Sequence, residues 1–99
     1  MDKDIILQEL YTHRDKIRNF GVKELELFGS FAVDKQNKES DIDFLVEFFE
    51  GRGGIDDYLT LLHFLEDLFE RKIDLVKKDL IRDELKDEIL NGVRHVAKV

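Results

Sequence analysis

The chain has neither cysteine nor proline among its 99 residues. The lack of cysteine excludes disulfides, thiolate metal sites and a cysteine nucleophile. With no proline, no internal repeat and no low-complexity block, nothing marks a linker, and the length suits a single core in one domain spanning 1–99. No apolar run approaches the roughly 20 residues of a membrane-spanning helix. The opening MDKDIILQEL is too acidic and too amphipathic for a secretory leader, so a cytoplasmic protein is expected by elimination. Basic residues are also scarce, 16 against 23 acidic ones, for a formal charge of −7. That field opposes coating of a nucleic-acid backbone, and favours a basic protein partner or a cation that gathers carboxylates. A single methionine and abundant Lys, Glu and Asp lean towards a heat-adapted source.

What is present describes a folded domain. Charged residues make up 39% of the chain, well above the usual quarter, but both signs are mixed and hydrophobic residues reach 42%. Ile6, Leu7, Leu10 and Ile17 follow helical spacing up to Gly21, a left-handed stop. Glu24–Phe28 alternates as a strand with Leu25 and Leu27 on one face. Gly29 breaks the pattern, and Ser30 is expected to cap a short helix running to Val33. A polar loop, Asp34–Ser40, leads to a second strand over Ile42–Phe48. A flexible stretch at Gly51–Gly54 precedes a strong helical stripe from Tyr58 to Phe69, wide enough to cover a partner helix as well as a core. Ile73–Val76 reads as a third strand, and Ile81, Leu85 and Ile89 stripe a last helix ending at Asn91–Gly92. The expected architecture is α/β (α+β) in the order αβαβαβα, with helices packed on a small mixed β-sheet. The tail 93–99 carries no clear pattern.

The chemistry concentrates in Gly29–Ser30, ten further residues, and then Asp41–Ile42–Asp43. Gly29 permits close backbone approach to a ligand, and the amides of Ser30 and Phe31 at a helix start suit a phosphate. Asp41 and Asp43, two apart on a strand, are expected on one side with Cα atoms about 6.5–7 Å apart. Carboxylates at that separation can share Mg²⁺, which needs only one or two of them plus phosphates and water. Asp74, between Ile73 and Leu75 on a third strand, would complete a two-metal site for in-line displacement at phosphorus. Mutual repulsion should raise at least one carboxyl pKa in the ion-free site. At ordinary residue abundances the spaced pattern arises by chance in about one chain in a thousand of this length.

LFGSFA, SDIDFLVEF, KIDLV and the LIRDELKDEIL tail, in that order, resemble the minimal nucleotidyltransferases of the polymerase-beta-like superfamily. The resemblance implies a palm-like fold and transfer of a nucleoside monophosphate, AMP from ATP, with release of pyrophosphate. It sets Gly29 and Ser30 on the phosphate-holding turn and Asp41 and Asp43 on the paired Mg²⁺ ligands. Asp74 falls on the third metal carboxylate, which also draws the proton from the attacking hydroxyl. It further implies a protein partner, since members are similar to MntA-type antitoxins that bind and adenylylate HEPN toxins. One departure stands out: the family has an arginine after its Gly-Ser-x-Ala run, where this chain has Val33 and Asp34. Lys35 and Lys38 are the cations that follow in the loop, without the bidentate geometry of a guanidinium.

Two other functions compete. One is a non-catalytic antitoxin that acts by binding its toxin. The other is a small-molecule nucleotidyltransferase, disfavoured because 99 residues leave no second domain to enclose an acceptor. His13, His63 and His95 lack ligand spacing. His63, inside the periodic helix, reads as a packing or boundary residue, and Gly51–Gly54 lacks the Lys-Ser or Lys-Thr of a phosphate loop.

Overall fold

The computed structural model describes residues 1–99. Two short helices open the chain, α1 (Lys3–Thr12) and α2 (Arg14–Asn19). They are followed by β1 (Val22–Phe28), β2 (Ile42–Phe48), α3 (Ile55–Phe69), β3 (Ile73–Lys77), α4 (Asp83–Leu90) and β4 (His95–Val96). The sheet runs β3-β2-β1-β4. β1 is antiparallel to both β2 and β4, and β2 is parallel to β3 across α3.

The single opening helix expected from the pattern is divided at His13. The His13 amide and its Nδ1 both engage the Glu9 carbonyl, and the chain restarts as α2 at Arg14. Gly21 ends this segment at φ 87°, a conformation glycine adopts without cost. The last helix begins later than its apolar stripe. Ile81 is buried in the extended stretch before α4, and α4 itself buries no residue, with Leu85 exposed. The tail adds a fourth strand that its sequence does not announce. β4 is only two residues long, fixed by Ala97 N–H donating to the Leu25 carbonyl (2.8 Å) and by Ala97 sinking into the core.

Register divides the sheet into two unlike faces. Leu25, Leu27, Ile42, Phe44, Val46, Ile73 and Leu75 meet Ile6, Leu10 and Ile17 of the first helices and Leu61, Leu65 and Phe69 of α3 in one core. Burying each such side chain contributes about 1.5–3 kcal/mol relative to leaving it exposed. The opposite face carries Glu26 opposite Leu45, Phe28 opposite Asp43, and Asp43 beside Asp74. Polar side chains there are not errors of patterning. They are the working face of the sheet.

Candidate active site

At the end of β1 the chain turns at Gly29 with φ 73° and ψ −154°, a region that only glycine occupies readily. A side chain would also have no room. A Cβ built at Gly29 would lie 2.9 Å from Cγ of Asp43 and nearer still to its carboxylate oxygen. Sequence reasoning places Ser30 as the cap; in the structure Gly29 holds that position and no side chain caps the turn. The element that follows, Ser30–Val33, is a four-residue 3-10 helix and not an α-helix. The summed dipole of an α-helix is therefore missing. The anion-attracting groups left are individual N–H donors, since Ala32 N–H is spent on the Gly29 carbonyl (3.1 Å) and Lys35 N–H on that of Ser30 (3.0 Å).

Asp43 and Asp74 are direct partners in the parallel β2–β3 ladder, so their side chains project from the same face on strands about 4.8 Å apart. The Asp43 carboxyl is pushed up to about 6, first by burial, then by the Asp74 charge, a hydrogen bond to Asp74 that only the protonated form donates, and the Asp41 charge. Asp74 is exposed, so the acid between two apolar residues sits on the open face of β3 instead of replacing a core residue. Burial of Tyr58 and, after it, the Asp74 charge raise the pKa of Tyr58, whose hydroxyl donates to the Leu75 carbonyl at 2.6 Å. Asp41 lies one residue ahead of β2, outside the regular strand, with Lys72 Nζ 3.8 Å from its carboxylate.

The three aspartates thus gather at one end of the working face, but no three His, Asp or Glu side chains are closed into an ion-holding cluster. A hard divalent cation fits this donor set in one particular way. Two carboxylates, one of them pushed up by burial and by its acid neighbours, supply charge that a cation would relieve, and Mg²⁺ takes its remaining oxygens from phosphates and water.

Several residues of this face escaped the sequence. Glu26 is the one buried charged residue, with Arg94 Nη1 donating to both its oxygens (2.9 and 3.2 Å) and Lys78 Nζ at 3.7 Å. The strand alternation puts Glu26 opposite to Leu25 and Leu27, which reads as solvent. Only the unpatterned tail, returning with Arg94, covers it. His95 has a structural part as well, its Nε2 donating to the Ala32 carbonyl (3.0 Å) and tying β4 to the glycine turn. His13 packs edge-on against Phe64, and His63 lies on the exposed side of α3. Lys35 and Lys38 are exposed, and Asp34 is paired with Lys3 at 2.9 Å.

The mixed sheet thus presents a glycine turn pressed against one of two in-register aspartates. Residues 10–96 match the nucleotidyltransferase domain family. The chain belongs to that family, and is a nucleotidyltransferase. It is 42% identical over 71 residues to MJ0435 of Methanocaldococcus jannaschii, a protein assigned as a protein adenylyltransferase, covering 72% of this chain and 75% of that one. It is 32% identical over 88 residues to the protein adenylyltransferase MntA of Thermococcus cleftensis, covering 88% of each. Among solved structures, one assigned as a minimal nucleotidyltransferase superposes with a TM-score of 0.71 at 29% identity, over 94% of both chains. A toxin–antitoxin structure with AMP-PNP superposes with a TM-score of 0.69 over 98% of this chain and 73% of that one. At 22% identity, that second likeness is one of fold.

Proposed function

We propose that this chain transfers AMP from ATP to a hydroxyl of a partner protein, with Mg²⁺ as cofactor, and that the partner is a HEPN-type toxin in the cytoplasm. The observation that carries the reading is the close approach of Gly29 to Asp43, beside Asp74 in register, which joins a backbone turn with no side chain to an acid pair. The protein adenylyltransferase relatives support the choice of a protein acceptor. The acidic excess suits a basic partner.

In this reading Asp41, Asp43 and Asp74 hold the cation, and the turn at Gly29 and Ser30 receives the triphosphate. When bound, the cation neutralises charge growing at the α-phosphate and eases ionisation of the acceptor hydroxyl. Asp43 must lose its proton to serve as a ligand, so binding strengthens as the pH rises through about 6. Asp74, the most exposed of the three, faces the incoming acceptor. It takes the hydroxyl proton as the oxygen–phosphorus bond forms and the bond to pyrophosphate breaks.

The test is incubation of the purified chain with labelled ATP, Mg²⁺ and the product of its neighbouring gene. Label on that product, lost with Asp41→Ala, is the expected result. A tight complex without label, and neutralisation unchanged by Asp41→Ala, would instead establish an antitoxin that acts by binding.

A further inference from the structure

Asp43 and Asp74 are placed by the β2–β3 ladder, whereas Asp41 precedes that ladder and is held by other means. The loop ahead of it is closed upon itself. Asn37 N–H donates to Ser40 Oγ (2.9 Å), Ser40 N–H to the Asn37 carbonyl (3.2 Å) and Glu39 N–H to Asn37 Oδ1 (2.8 Å). Those bonds shape the turn without attaching it to the sheet. Lys72 Nζ, 3.8 Å from the Asp41 carboxylate, is beyond hydrogen-bond distance and belongs to a side chain 78% exposed. Arg71 makes the firm attachment. Its Nη1 donates to the Ser40 carbonyl at 3.0 Å, one residue before Asp41, and to that of Lys38 at 3.4 Å. Its guanidinium also lies 5.3 Å from the ring centre of Phe31, in the 3-10 element that follows Gly29. The chain brings Arg71 there through a left-handed residue at the end of α3, Glu70 with φ 49°, a conformation costly for any residue but glycine.

We propose that Arg71 is a positioning residue of the cation site: it clamps the Ser40 carbonyl to the glycine turn and so sets where the Asp41 carboxylate stands. The inference rests on the reading of Asp41 as a cation ligand and deepens it. Phe31 is fully buried, so a guanidinium stacked on its ring is anchored to a fixed part of the core. Through that one side chain, the loop carrying Asp41 is tied to the turn at Gly29 and Ser30. A guanidinium suits the place, because it has a planar face for the ring and a rigid fork of donors for the two carbonyls. The ammonium of lysine has neither. Arg71 works through Asp41 and not on the ion, which as a cation it repels. The two effects have opposite signs. If charge alone mattered, removing Arg71 would strengthen cation binding; if position matters, removal weakens it. Groups that orient a metal ligand typically govern affinity by about ten- to a hundredfold.

The experiment titrates the whole chain with Mn²⁺, an oxygen-seeking stand-in for Mg²⁺, and follows the free ion by its electron paramagnetic resonance at pH 7.5. Arg71→Met keeps a stem over Phe31 and removes the donors. With its melting in EDTA checked against the unmodified chain, it should bind Mn²⁺ about tenfold or more weakly. In an Asp41→Asn background the same replacement should change affinity by about twofold or less, since no ligand carboxylate is left to place. Unchanged or tighter binding by Arg71→Met would overturn the assignment while leaving the aspartate site standing. A further tenfold loss in the Asp41→Asn background would also overturn it, by showing damage that does not pass through Asp41. Should Arg71→Met fail to fold, Arg71→Lys takes its place, with a loss of severalfold expected and full affinity counting against the clamp. Absence of Mn²⁺ binding by the unmodified chain would overturn this inference together with the reading beneath it.

Discussion

Replacing Asp43 with asparagine should make the ion-free protein more stable, and only above a definite pH. In the folded chain the Asp43 carboxyl titrates at about 6 instead of 3.8. That gap corresponds to about 3 kcal/mol at 1.36 kcal/mol for each pH unit. Asp43 is half-buried, and solvent screening reduces the usable part to about 1–2 kcal/mol. The sign follows from linkage. A carboxyl whose folded pKa is raised favours the fold while protonated, so its contribution is full below pH 3.8 and is lost as the pH climbs through about 6. Asparagine has nearly the same volume, carries no charge, and its amide can donate to Asp74 at every pH. Thermal melts of both proteins in EDTA from pH 4 to pH 8 test this, because titrating groups remote from the aspartates are shared and cancel in the difference. The transitions should nearly coincide at pH 4. By pH 7.5 the variant should melt higher by about 5–15 °C, using about 4–8 °C for each kcal/mol in a domain of this size. Mg²⁺ with ATP should stabilise the unmodified protein at pH 7.5 and do little for the variant. Parallel curves across the range, or a variant less stable at pH 7.5, would refute the account of Asp43 as an acid held under repulsion.

Other perturbations probe the neighbouring parts. Gly29→Ala forces a side chain into a positive φ and against the Asp43 carboxylate; it should lower stability by about 1–3 kcal/mol in urea titrations and abolish nucleotide transfer. Arg94→Ala leaves Glu26 buried with Lys78 alone at 3.7 Å, and should cost about 2–3 kcal/mol. The double variant Glu26→Leu with Arg94→Leu should recover most of that loss, a non-additivity that a double-mutant cycle reads directly. Asp57 is held down to about 2 by its hydrogen bonds from Arg52 and from the Gly53 N–H at the start of α3. Asp57→Ala should therefore lower the melting temperature at pH 7, and the difference between the two proteins should vanish as the pH falls through about 2.

The extent to which this molecule could be read from its residues depends on where each element keeps its apolar side chains. β2 announces itself over Ile42–Phe48 because Ile42, Phe44 and Val46 alternate against a core while Asp43 and Glu47 do not. α3 is equally clear, since Leu61, Leu65 and Phe69 recur at four-residue spacing on a buried side. β4 has no such signature. Two residues cannot establish a period, and its place is decided by pairing with β1, which is remote in sequence. The 3-10 form of Ser30–Val33 is likewise a product of tertiary geometry, because Phe31 and Ala32 must turn into the core at once after Gly29. The aspartates were legible as residue types at a spacing. That Asp41 stands outside the strand, and that Asp74 opens to solvent, depends on which face of the sheet each occupies. Glu26 shows the same limit from the other side. Alternation correctly puts it away from the core, yet the returning tail buries it with Arg94.

Both faces of the sheet are stabilised by burial, but they tolerate opposite things. On the core face a charge would stand without a partner among Leu25, Phe44 and Leu65, so chemistry is excluded there. On the working face Glu26 is matched by two cations, whereas Asp43 faces the Asp74 and Asp41 charges and no basic side chain donates to it. Two buried or half-buried acids one diagonal step apart on the same face therefore differ in one respect, the presence of a fixed counter-charge. If the face served only to hold the fold, Asp43 would be expected to carry a partner as Glu26 does. Its lack of one stores repulsion that a divalent cation can release on binding, which turns a cost to the empty fold into affinity for the ion. The stability gain expected of Asp43→Asn and its loss of transfer are consequently two measurements of one quantity.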